Sequence, residues 1–267
     1  MRTILAFFFI YGVATVTAQA LDCVSTKRLS VDADGAPDSY RVDGRGLSNT
    51  CDGVFAIVDG VARTPLNDRK HWYALCRSYW QNAEKTKDYS KVKIVGFLTE
   101  KSGEPRIQGV GDPLPGQAYV TTTKLTIQNT PENSQRHYVN ASEIPYVVLS
   151  SSYAEKYRLS RGDLVAVYRP KTGAIAYGVY GDCCRLGEAS IRLHQDLGSN
   201  PIVVQNGVRR AKRNIEDPVY FIALTGAHTT PTLDSAAWRK QIAERGQQAL
   251  TALGGINAVK ACNAGKP

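Results

Sequence analysis

Gly, Pro, Asn and Asp interrupt this chain so often that its apolar runs stay short. Turn-forming clusters stand at Asp34-Gly35-Ala36-Pro37, Asp112-Pro113-Leu114-Pro115-Gly116, Arg161-Gly162-Asp163 and Lys171-Thr172-Gly173. Gly supplies positive φ, Pro fixes φ near the turn value, and Asp hydrogen-bonds its own backbone two residues on. Between the turns lie runs rich in Val, Ile and Tyr, which predict strands over residues 54–58, 92–98, 118–122, 146–149, 164–168, 175–180 and 219–223. Helical patterns are fewer. They cover residues 69–80, 188–197 (stopped by Gly198) and 235–253, where Asp234 is the expected N-cap and Gly254-Gly255 the stop. Gly246 weakens the last of these. No repeat or low-complexity linker divides the chain. A boundary fits only near residues 103–116, where nothing reads as flexible. The expectation is a mainly β, α+β fold in a single domain over residues 21–267, with a few peripheral helices.

With 43% hydrophobic and 21% charged residues, the 267-residue chain has an ordinary globular composition, which excludes general disorder. Residues 1–20 carry Arg2, a short apolar stretch and the small-x-small sequence Ala18-Gln19-Ala20. This reads as a secretory signal peptide and predicts an extracellular or periplasmic protein. No later apolar run approaches the roughly 20 residues of a membrane span. All six cysteines (Cys23, Cys51, Cys76, Cys183, Cys184, Cys262) follow the leader, and an even count in an exported chain predicts disulfides. The ring closed by adjacent Cys183 and Cys184 is strained, so pairing between them is set aside. Neither the cysteines nor the four histidines show zinc spacing, and no cofactor is expected.

The formal charge is +9; without Arg2 there remain 32 basic against 24 acidic residues, a net +8. The densest basic run, Arg209-Arg210-Ala211-Lys212-Arg213, has no interleaved aromatics and reads as a solvated loop rather than a nucleic-acid site. Trp72, Tyr73, Tyr79 and Trp80 are able to stack on sugar rings, but at helical spacing they read first as core. Asp32-Ala33-Asp34-Gly35 starts like a calcium loop, lacks the distal acidic ligand, and reads as a turn.

Chemistry concentrates in residues 173–198. An apolar strand ends at Gly181-Asp182; after a tight loop, Gly187-Glu188 opens a helical pattern with Ile191, Leu193 and Leu197. Two carboxylates at the mouths of regular elements can be held to geometry. Glycoside hydrolysis needs such a pair, one protonated to release the leaving oxygen and one ionised to activate water. By spacing alone a structural turn or cap is the commoner explanation.

The surrounding text resembles the secreted chitosanases of glycoside hydrolase family 75. The resemblance begins at Val31-Asp32-Ala33-Asp34-Gly35-Ala36-Pro37 and continues through Gly111-Asp112-Pro113-Leu114-Pro115-Gly116-Gln117-Ala118-Tyr119. It takes in His137-Tyr138-Val139, Ile144-Pro145-Tyr146-Val147-Val148-Leu149 and Arg161-Gly162-Asp163-Leu164. It ends through Tyr177-Gly178-Val179-Tyr180-Gly181-Asp182 and Gly187-Glu188-Ala189-Ser190-Ile191. It implies an endo-acting, inverting hydrolase of the glucosamine polymer chitosan, with Asp182 and Glu188 as the catalytic pair. The same segment is similar to the core of double-psi β-barrels, which implies a compact barrel. By analogy with family 45 cellulases, Glu188 would be the acid and Asp182 the base. A helix start favours the anion and argues the reverse. Asp32, Asp34 or Asp52 are alternative bases. Two departures stand out. Cys183-Cys184-Arg185 replaces the Gly-Pro that relatives often carry, placing a cation beside the pair. The net charge is also basic for an enzyme on a cationic polymer. Rival expectations are a non-catalytic secreted polysaccharide-binding barrel and a hydrolase of another cell-wall amino-sugar polymer such as peptidoglycan.

Overall fold

A computed structural model describes residues 22–264. The predicted leader and its cleavage site lie outside the described residues. The chain opens with β1 (Val24–Thr26) and β2 (Ser30–Asp32), then builds a small unit of β3 (Val54–Val58), β4 (Val61–Ala62), α1 (Trp72–Thr86) and β5 (Val92–Ile94). A long stretch of turns leads to β6 (Tyr146–Leu149), α2 (Ser151–Tyr157), β7 (Asp163–Arg169), β8 (Ala174–Cys183), β9 (Glu188–Ser190) and α3 (Ile191–Asp196). The hairpin β10 (Ile202–Gln205) and β11 (Val208–Ala211), the long β12 (Val219–His228), α4 (Ser235–Ala252) and α5 (Gly255–Ala264) complete it.

Seven strands form one curled, half-barrel sheet in the order β1-β12-β7-β8-β6-β9-β2, so the fold is mainly β with few helices, as read. Side chains alternate across this sheet. Tyr146, Val148, Leu164, Ala166, Val179 and Ile222 pack on one face with Trp238 and Ile242 of α4. Val147, Leu149, Val165, Val167 and Phe221 fill the other with Leu193 and Leu197. Burial on both faces explains why β6, β7 and the start of β12 read as continuous apolar runs. Helix α4 is capped as expected, Asp234 accepting from the Ala237 N–H at 2.9 Å. Gly246 is there for space: a Cβ would lie 2.5 Å from Tyr177 Cγ, so its absence lets the helix sit against β8.

The small unit has its own core of Tyr40, Trp80, Tyr89, Phe97 and Tyr119 and a Cys51–Cys76 disulfide (S–S 2.10 Å). Trp80 is core, Trp72 and Tyr79 pack against it, and Tyr73 is exposed. Cys23 is also bridged.

Several expectations are corrected. Residues 118–122 make only isolated bridges, Ala118 to Arg41, Tyr119 to Ile107 and Thr121 to Phe97, each to a different segment, so no ladder runs on. The basic run is not a solvated loop: Val208–Ala211 is β11, and Arg210 donates to the carbonyls of Gly44, Gly46 and Ser48 at 2.6–2.9 Å. The helix expected over 188–197 starts only at Ile191, since Glu188–Ser190 is claimed by strand pairing on both sides. Cys183 and Cys184, set aside as partners, are disulfide-bonded to each other.

Candidate active site

Register decides which groups meet. Strand β6 pairs in parallel with β8 and antiparallel with β9, and Val148 stands opposite both Asp182 and Glu188. Strand β2 then pairs with β9, Ser30 opposite Glu188 and Asp32 opposite Ser190. Matched and alternate residues share a face. Asp182, Glu188 and Asp32 therefore project on the same side as Tyr146 and Val148. Asp182 and Glu188 are two interstrand spacings apart, about 9.5 Å between backbones.

Asp182 reaches that face only through a β-bulge. Val147 opposes Tyr180, yet Val148 opposes Asp182, with Gly181 the extra residue. An unbroken ladder would turn Asp182 to the opposite side, because a one-residue slip exchanges the faces. Gly181 fits the bulge because its Cα lies against Tyr146; a Cβ would come 2.7 Å from Tyr146 Cβ. Its carbonyl leaves the ladder to accept from the Leu125 N–H at 2.7 Å.

Asp182 is 8% exposed, and its Oδ1 accepts from the Cys183 N–H at 2.7 Å. Burial, then repulsion from Asp32, pushes its pKa up to about 7, against the opposing pull of Lys124 and Arg161. Arg161 stacks 3.8 Å over the Tyr180 ring and points Nη1 at the Asp182 carbonyl, 3.5 Å away. The Glu188 side chain is 29% exposed. Its pKa is raised by burial and by Asp32, and lowered by Arg185 and Arg28. Arg185 approaches Glu188 at 3.4 Å and is itself 70% exposed. It meets Glu188 from the solvent side.

Asp32 and Asp34 make the expected turn, the Asp34 N–H donating to Asp32 Oδ1 at 2.9 Å. The turn also brings both carboxyls to the site. Burial raises Asp32, opposed by hydrogen bonds from Asp34 and Tyr146; Asp34 is raised well above its ordinary value by burial and by Asp32, Asp182 and Glu188. The Tyr146 hydroxyl donates to the Asp34 carbonyl at 2.8 Å. Asp52, the other candidate base, is exposed and accepts from the Asn49 N–H at 2.9 Å as the cap of a short turn. No group of three or more His, Cys, Asp and Glu with metal-holding geometry occurs among the described residues.

Sequence reading paired Asp182 with Glu188 and offered Asp32 and Asp34 as alternatives; the fold gathers all four. It missed Tyr146 and the role of Gly181. The trace of Gly181 was the Gly-Asp ending of an otherwise regular strand; Tyr146 reads only as part of an apolar run. Glu188 sits on a strand, so the helix-start argument about its charge falls away; Ser190 is the cap, its Oγ accepting from the Leu193 N–H at 3.2 Å.

No helix among the described residues is long and apolar enough to cross a membrane. Comparison with curated proteins finds no match. The family model for fungal chitosanases of glycosyl hydrolase group 75 does match, over residues 112–258, a span that takes in Asp182 and Glu188. That match covers more than half the chain, which therefore belongs to glycoside hydrolase family 75 and is a glycosidase of the chitosanase type.

Proposed function

We propose that this protein is a secreted chitosanase. In this reading residues 21–267 form one catalytic domain that cuts β-1,4-linked glucosamine polymer within the chain, with inversion at the anomeric carbon. The observation that carries the proposal is the unequal pair on one sheet face. Asp182 is almost enclosed, with its pKa raised to about 7, whereas Glu188 reaches solvent and is flanked by Arg185 and Arg28. An acid must hold its proton near the working pH, while a base must be ionised and reach water. Asp182 suits the acid and Glu188 the base, the reverse of the family 45 analogy. The carboxyl groups of inverting pairs stand about 6.5–9.5 Å apart to admit a water, a spacing open to side chains on one face of strands separated by a third.

The step then runs as a single displacement. Asp182 gives its proton to the glycosidic oxygen as the C1–O bond breaks. Glu188 takes a proton from the water whose oxygen attacks C1 from the opposite face.

The test is to follow reducing ends released from chitosan by Asp182→Asn and Glu188→Gln. Both should keep the parent's circular dichroism and lose activity by at least about 10³-fold. Near-parental turnover by either variant refutes that residue's role. A barrel that only binds polysaccharide would retain chitosan without releasing ends.

A further inference from the structure

A pair of acids on one sheet face tends to lose both protons as pH rises, and something must keep their protonation states apart. Strand β2 places a third carboxylate beside them. Asp32 stands two residues along β2 from Ser30, the residue opposite Glu188, and on the same face. Its surroundings differ from those of the pair. Lys124 and Arg161 face Asp182, and Arg28 and Arg185 face Glu188. Asp32 faces Asp34, Tyr146 and the buried Tyr40. Burial raises its pKa; against this stand the Asp34 N–H at 2.9 Å and the Tyr146 hydroxyl, whose one proton is shared with the Asp34 carbonyl, and both favour its ionised form. Tyr146 is itself wholly buried and tied by its hydroxyl to the Asp34 carbonyl, so the turn carrying Asp32 is anchored to β6, the strand between Asp182 and Glu188.

We propose that Asp32 is a positioning residue of this site, a fixed negative charge that holds the proton on Asp182 while Glu188 stays ionised. The proposal rests on the reading of Asp182 as the acid. It also explains the design of the turn: an anion at Asp32 is tolerated under partial burial because two neutral donors serve it, leaving the site's cations to the pair.

The test uses Asp32→Asn, which retains the Oδ1 acceptor for the Asp34 N–H and removes only the charge. The pH profile of kcat/KM on chitosan is compared with the parent's, and the Asp182 carboxyl is titrated by carbon-13 NMR without substrate. The alkaline limb and the Asp182 titration should both move to lower pH, by at least half a unit, with KM less affected than kcat. At a pH on that limb, activity should fall at least threefold, and at acid pH it should approach the parent's. Superimposable profiles overturn the proposal, as does a uniform loss across pH with an unmoved Asp182 titration, the mark of a purely structural role. Abolished activity at every pH overturns it too, since Asp32 would then be the base itself. Should Asp32→Asn fail to fold, Asp32→Ser keeps a turn oxygen and is read the same way. If Asp182→Asn is active, the underlying acid assignment fails instead, and the NMR shift still judges Asp32 separately.

Discussion

The bulge at Gly181 offers the sharpest test of how this site is built. Gly181→Ala adds one methyl group where the nearest atoms are Tyr146 Cβ at 2.7 Å and Cγ at 2.8 Å. Ordinary contact begins near 3.4 Å, so strand and ring must part by about 0.7 Å. Neither gives easily. Tyr146 is fully buried and its hydroxyl is bonded to Asp34, while the Gly181 carbonyl is held by Leu125. Overpacking of this kind costs about 1–3 kcal/mol. Catalytic geometry is more sensitive still, since a misplacement near 1 Å costs about 10²-fold. Urea unfolding and reducing-end release should therefore show a modest loss of stability and a 10- to 100-fold loss of kcat, both order-of-magnitude figures. Gly178→Ala, three residues earlier on β8, is the control. Its Cβ would meet the buried Leu193 Cδ1 at 2.5 Å and the Pro145 carbonyl oxygen at 3.3 Å, away from the bulge, so it should cost stability while activity of the folded protein stays within a few-fold of the parent. Parental stability and activity in Gly181→Ala would refute the claim that the bulge holds Asp182 in place.

Two further outcomes concern stability. The raised pKa of Asp182 means that the native state prefers its protonated form. Its stabilising share is present below the ordinary carboxylate value of 3.8 and is lost as pH rises through about 7. Asp182→Asn should thus be more stable than the parent at pH 8, by up to about 4 kcal/mol, and nearly equal to it at pH 4; an equal difference at both pH values in denaturant melts would contradict this. Asp217 behaves oppositely. Arg169 grips it through Nε at 2.9 Å and Nη2 at 2.8 Å, and that bond holds its pKa down. Asp217→Asn should cost about 1–3 kcal/mol near pH 7, and the gap should close as pH falls below the carboxylate range. A gap unchanged at pH 3 would count against the ion pair.

Chain order and composition alone settled the mainly β class. Residues 54–58 and 146–149 were read with the bounds they have, because Val, Ile and Tyr between turn formers leave little alternative to a strand. Asp234 and Gly254 likewise mark α4 by local chemistry. Glu188 and Asp182 were legible as acids at strand and loop ends. Local sequence could not show that Glu188–Ser190 is a strand, since its three residues are fixed by β2 and β6, both remote in the chain. Nor could it show the Cys183–Cys184 bridge, the anchoring of Arg210 by loop carbonyls, or the gathering of Asp32 and Asp34 beside the pair. Those depend on register, and register is set by the summed burial of two sheet faces. The sequence supplied the acids; only the sheet, through one bulged glycine, turned them to one face and gave them unequal surroundings.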